Sequence, residues 1–146
     1  MEILQVHLSL AAKPRGVHLV TREILSQLPQ VSMFETGLLH LFLQHTSAGL
    51  AINENADPDV RHDTETFIDD LIPENYPKFT HVLEGSDDMP AHLKSMLFGC
   101  ELTIPLFEGR PALGTWQGIY LIEARNHGGR RRIVATMQGK ARNNVV

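Results

Sequence analysis

Eight histidines are spread over 146 residues, and three of them stand where a side chain can meet other polar groups. His45 ends the run Leu41-Phe42-Leu43-Gln44 and leads into Thr46-Ser47. His81 opens the short segment His81-Val82-Leu83-Glu84, and His92 follows Asp87-Asp88 in the first turn of a segment that starts near Pro90. A neutral imidazole is the form that binds a metal ion. The partial positive charge at a helix N-terminus disfavours the imidazolium form, which favours a neutral His92. For any one of the three the plain alternative is a structural ring bonded to a nearby carbonyl. Neither HExxH nor CxxC is present, so the familiar zinc spacings are absent. His7, on the polar face of a strand, and His62, among charged neighbours, read as ordinary surface.

Glu54 lies in Asn53-Glu54-Asn55-Ala56-Asp57, a polar cluster directly after an apolar run. A carboxylate at a strand end is open to three roles: metal ligand, general base, or orienter of an imidazole. Leu113-Gly114-Thr115-Trp116-Gln117-Gly118 surrounds the one tryptophan with glycines. Gly114 and Gly118 permit close backbone approach, Trp116 offers a flat wall for an aromatic ligand, and Gln117 supplies both donor and acceptor. A core tryptophan at a strand start is the competing reading. Arg125, Arg130, Arg131 and Arg132 flank Gly128-Gly129 and concentrate positive charge in an acidic chain. Solvated surface and phosphate recognition are both open to them, with Lys94 as a supplement.

Several elements must position these groups. Leu4 to Leu10 alternates at period two, the mark of a half-buried strand. Lys13-Pro14-Arg15-Gly16 is a turn, and Thr21 is expected to cap a short helix through Leu28, stopped by Pro29. Leu38 to Leu43 reads as a buried strand with Ala48 to Asn53 as its partner. Asp57-Pro58 starts a helix over Pro58–Leu71, with Val60, Thr64, Phe67, Ile68 and Leu71 at helical spacing. A second helix runs from Pro90 to Phe98, with Leu93, Met96 and Leu97 as its stripe and Gly99 at its end. Glu101 to Leu106, Trp116 to Ala124 and Arg132 to Gln138 read as strands, the last two joined by Asn126-His127-Gly128-Gly129 as a hairpin loop. Antiparallel strands with about three inserted helices and no late crossover helix give an α+β class.

Composition bounds the rest. The length fits one domain over residues 1–146, able to form a core without staples. Thirteen Lys and Arg against 17 Asp and Glu leave a net charge of -4, which argues against nucleic acid as the main partner. One cysteine, Cys100, excludes a disulfide framework or a cysteine-rich zinc cage. No apolar run approaches the roughly 20 residues that cross a bilayer, so no membrane partner is expected. The opening Met1-Glu2-Ile3 shows no basic leader or cleavage site, and the expected address is the cytoplasm.

Three blocks together resemble one family. His45-Thr46-Ser47-Ala48-Gly49-Leu50 with Asn53-Glu54-Asn55, then Asp87-Asp88-Met89-Pro90-Ala91-His92-Leu93-Lys94, then Gly114-Thr115-Trp116-Gln117-Gly118-Ile119-Tyr120 resemble the YjbQ-type secondary thiamine-phosphate synthases, in order along nearly the whole chain. The resemblance implies a compact α+β fold and assembly as a homotrimer. It also implies a metal ion held by clustered histidines near a pocket at the subunit contacts. That ion is commonly zinc, with magnesium the alternative that a diphosphate substrate would bring. Carried onto this chain, the metal ligands are His45, His81 and His92. The implied activity joins a pyrimidine diphosphate to a thiazole phosphate. Glu54, His45 and His92 would then be catalytic, with Thr115, Trp116, Gln117, Arg130 and Lys94 around a phosphorylated ligand. A metal-dependent hydrolase and a non-catalytic trimer that binds metal or metabolite are the other classes.

Overall fold

In the computed structural model, which describes residues 1–143, eight strands and three helices form two antiparallel sheets with the longer helices on one side. The strands are β1 (Glu2–Leu10), β2 (Gly16–Leu19), β3 (Phe34–Leu43), β4 (Ala48–Glu54), β5 (Glu101–Phe107), β6 (Arg110–Pro111), β7 (Gln117–Glu123) and β8 (Arg131–Ala141). The helices are α1 (Thr21–Leu25), α2 (Pro58–Leu71) and α3 (Asp88–Phe98), with a 3-10 turn over Pro29–Met33. The first sheet has the order β1-β8-β3-β5-β6 and the second β2-β7-β4.

Period-two alternation places Leu39, Leu41 and Leu43 of β3 and Ile133, Ala135 and Met137 of β8 on the inner face of the first sheet. They share one core with Leu50, Ile119 and Leu121 of the second sheet and Ile24 of α1. On the other side of β7, Tyr120 and Ile122 are also buried. A strand covered on both faces reads as a nearly continuous apolar run, as Ile119-Tyr120-Leu121-Ile122 does. At the far edge, Glu108 and Gly109 both take positive φ, 49° and 80°, the geometry of a two-residue turn between β5 and β6.

The α+β class and the span of α2 hold. Asp57 caps α2 as its sequence implies, Oδ1 accepting from the Asp59 N–H at 2.9 Å. Four details of the sequence reading need correction. First, Thr21 does not cap α1: its hydroxyl accepts the Ile119 N–H at 2.8 Å, and α1 ends at Leu25 before the 3-10 turn. Second, β3 pairs with β5 and β8, whereas β4 pairs with β7 in the other sheet. Third, β7 and β8 are not a hairpin; residues 124–130 carry the chain between sheets, a step of about 10 Å that a tight turn does not span. Fourth, α3 starts earlier, at Asp88, and buries Asp88, Pro90, Ala91, Lys94 and Ser95, leaving Met96 and Leu97 exposed. Ion pairs choose that face: Lys94 Nζ meets Asp69 Oδ1 of α2 at 2.6 Å. No residue of α2 is fully buried, and Phe67 and Leu71 also face outward.

Candidate metal centre

Asp88 and His92 are four residues apart on α3, so helical geometry puts them on one face. His81 reaches the same face from the irregular segment between α2 and α3. Asp88 Oδ2 lies 2.7 Å from His81 Nε2 and 3.0 Å from His92 Nε2, and the ring centroids of the two histidines are 5.4 Å apart. The three side chains each offer one ligand atom within 4.8 Å of the others. Asp88 is only 2% exposed while His81 stands partly in solvent, so the cluster has a buried floor and an open side.

The tautomer of His92 follows from its other nitrogen. Nδ1 sits 2.8 Å from the Thr46 carbonyl oxygen, which only accepts, so Nδ1 carries the proton. Nε2 is then the ring atom aimed at the Asp88 carboxylate oxygen. Such a convergence is stable only with positive charge among the atoms, either protons on the rings or a metal ion. Burial pushes the Asp88 carboxyl up, but the His81 hydrogen bond and the charges of His92 and Arg125 outweigh it and hold it below the ordinary aspartate range. The ionised carboxylate is therefore the resting form. A histidine whose second nitrogen donates to a backbone carbonyl is the arrangement that orients metal-ligating imidazoles. The donor set fits a divalent ion.

His45 is not brought into this group. Its Nε2 accepts the Arg132 N–H at 2.8 Å, so that lone pair is in use and the neutral ring carries its proton on Nδ1. Burial, then the charges of Arg131 and Arg132, lower its pKa and keep it neutral. Glu54 and Trp116 lie elsewhere. β4 and β7 pair with Ala48 opposite Glu123 at one end and Glu54 opposite Gln117 at the other. Six residues of strand separate the two ends by about 20 Å, and the histidine cluster adjoins the Ala48 end through Thr46. Glu54's carboxylate accepts the Asp57 N–H at 3.0 Å. The tryptophan loop is braced by Asn55, whose Nδ2 donates to the Thr115 and Gln117 carbonyls at 3.1 Å each, and by Gln117 Oε1, which accepts the Gly114 N–H. Trp116 itself is 66% exposed, so the core reading for it fails. Lys94 is buried against Asp69, and Arg130 donates to Ser9 Oγ at 3.0 Å.

Asp88 is the member of the cluster the sequence reading passed over. Its signal was present: a carboxylate one helical turn before a histidine. The comparisons place the chain among relatives. The family model described as UPF0047 protein YjbQ-like matches residues 6–140. The chain belongs to this family. A UPF0047 protein YjbQ from Escherichia coli O157:H7 is 55% identical over 136 residues, 93% of this chain and 98% of that protein. A UPF0047 relative from Synechocystis is 41% identical, covering 91% of this chain and 90% of its own length. Among solved structures, a conserved hypothetical protein from Thermus thermophilus is 37% identical with a TM-score of 0.75, covering 90% of this chain and 97% of that one. A YbjQ-like protein of unknown function from Sulfolobus solfataricus shares the fold at a TM-score of 0.82 and 21% identity, covering 95% of this chain and 99% of that one. As in the YjbQ-like fold generally, two antiparallel sheets and helices make one α+β domain. Among the described residues, no helix is long and apolar enough to cross a membrane.

Proposed function

We propose that His81, Asp88 and His92 hold a divalent metal ion in a metal-assisted enzyme of phosphorylated small molecules. The reaction to assay is thiamine-phosphate synthesis from a pyrimidine diphosphate and a thiazole phosphate, with pyrophosphate released. One observation carries the reading: Nε2 of His92, a ring fixed by the Thr46 carbonyl, converges with Nε2 of His81 on one oxygen of an ionised buried carboxylate. Two imidazoles and a carboxylate suit zinc and leave a position open; magnesium is the alternative for a diphosphate. The ion, when bound, supplies a Lewis acid for the oxygens of the leaving group. His45, neutral with its proton on Nδ1, is suited to donate a hydrogen bond to an oxyanion.

Glu54, Thr115, Trp116 and Gln117 enter this reading only from a second copy, because one chain holds them about 20 Å from the cluster. A head-to-tail homotrimer would close such contacts into a ring. The exposed Phe67, Leu71, Leu83, Met96, Leu97 and Trp116 favour a covered surface of this kind. Among the described residues Arg130 bonds through Nε alone, which leaves its outer nitrogens for phosphate, whereas Lys94 would first have to leave Asp69. A cytoplasmic address belongs to the same proposal. The second reading, a trimer that binds metal or metabolite without turnover, is favoured by one fact. The cation that adjoins the cluster within one chain, Arg125, is already paired with Asp87 and Asp88.

The test is pyrophosphate release from the two substrates, with and without chelator, in the intact chain and in Asp88→Asn. Release that needs metal and falls at least tenfold in the variant is the expected result. No release at any metal concentration would leave the non-catalytic reading standing.

A further inference from the structure

We propose that Arg125 is a positioning residue for the metal centre, splitting the Asp88 carboxylate so that one oxygen alone faces the histidines. This rests on the metal reading above. Arg125 lies in the segment that crosses between the sheets, and three of its nitrogens are engaged. Nε donates to Asp87 Oδ2 at 2.9 Å, Nη1 donates to Asp88 Oδ1, and Nη2 donates to the Glu84 carbonyl at 3.1 Å. The planar guanidinium is therefore fixed in orientation. Asp88 Oδ1 is committed to it, and Oδ2 is left to His81 and His92.

Charge is arranged in the same way. A guanidinium on a ligating carboxylate weakens its pull on a cation unless its own charge is offset. Asp87 supplies the offset: it is buried and also accepts the Asn126 N–H at 2.9 Å. The row Asp87, Arg125, Asp88 thus keeps one net negative charge for the site while fixing Asp88 as a one-oxygen ligand. Partners of this kind, one step behind the ligands, typically govern metal affinity by 10- to 100-fold. The engaged nitrogens also distinguish Arg125 from an arginine held ready for phosphate.

The test titrates the full-length chain with zinc and with cobalt(II), reading affinity and the visible cobalt spectrum in the unmodified protein, Arg125→Ala, Arg125→Lys and Asp87→Asn. Arg125→Ala is expected to weaken binding about 10- to 100-fold. It should also dim the cobalt bands, because a freed Oδ1 turns Asp88 bidentate and raises the coordination number. Lysine restores charge but not the fork, so the spectrum should stay changed. Unaltered affinity and spectrum in Arg125→Ala, or full rescue by lysine, would overturn the assignment. If Arg125→Ala does not fold, Asp87→Asn decides: a changed spectrum supports the assignment and an unchanged one overturns it. Absence of any metal binding in the unmodified chain would instead overturn the metal reading, and this proposal with it.

Discussion

Replacing Arg131 by methionine keeps an unbranched apolar stem and removes the guanidinium. In the folded chain that guanidinium donates from Nε to Glu123 Oε1 at 2.7 Å and from Nη2 to Oε2 at 2.5 Å, and Nη2 also reaches the Ser47 carbonyl at 3.1 Å. The pair is sealed from water, with side-chain exposures of 4% for Arg131 and 0% for Glu123. Breaking one side of a buried pair leaves an uncompensated charge and costs about 3–5 kcal/mol. With a urea dependence of about 2 kcal/mol/M for a chain of this size, the midpoint should fall by about 1.5–2.5 M. Equilibrium unfolding at one protein concentration measures it, since assembly would make stability depend on concentration. Converting the partner as well, Arg131→Met with Glu123→Leu, should recover most of the loss, short of about 1 kcal/mol for the Arg125 N–H that then lacks its acceptor. A single variant within about 1 kcal/mol of the unmodified chain would refute the reasoning. So would a double variant no more stable than the single one.

Two further expectations follow from neighbouring contacts. A Cβ on Gly128 would press on the Glu123 carboxylate and come within 2.6 Å of Arg131 Nη2, so Gly128→Ala should cost about 1–3 kcal/mol, read as a thermal midpoint lower by several degrees; an unchanged midpoint would contradict it. Burial pushes the Glu23 carboxyl up, yet Lys13 and the Ala11 N–H outweigh this and hold it below the ordinary glutamate range. Its contribution to stability is therefore full above the unfolded pKa of about 4.3 and is lost as pH falls through the lower folded value. The gap in urea midpoint between the unmodified chain and Glu23→Gln should be present at pH 7 and shrink through that acid window. A gap independent of pH would contradict this.

Local signals in the sequence carried the parts of the fold that depend on near neighbours. Asp57-Pro58 located the start of α2, period-two alternation located β1, and a short apolar run located β3. Partner choice between sheets was not legible, because β4 is equally apolar whether it pairs with β3 or β7; packing decides that, through the double-sided burial of β7. The apolar stripe of α3 misled for a physical reason. Asp88 and Lys94 find ionic partners inside, and those partners outrank Met96 and Leu97 in setting which face turns in. At the site, His81 and His92 were legible as residues at element junctions. Asp88 was hidden behind the expectation of a three-histidine set. Arg125 was legible as one of an arginine cluster but its role beside Asp88 was not, since its carboxylate partners lie 37 and 38 positions away.

The most direct test of the account is a calorimetric zinc titration of the intact chain beside Asp88→Asn, His92→Ala and His45→Ala. The account predicts binding in the intact chain and in His45→Ala, because the His45 Nε2 lone pair is taken by the Arg132 N–H. It predicts loss of binding in Asp88→Asn and His92→Ala. If His45→Ala abolishes zinc binding as fully as His92→Ala, or Asp88→Asn binds as tightly as the unmodified chain, the two-histidine, one-aspartate centre is contradicted.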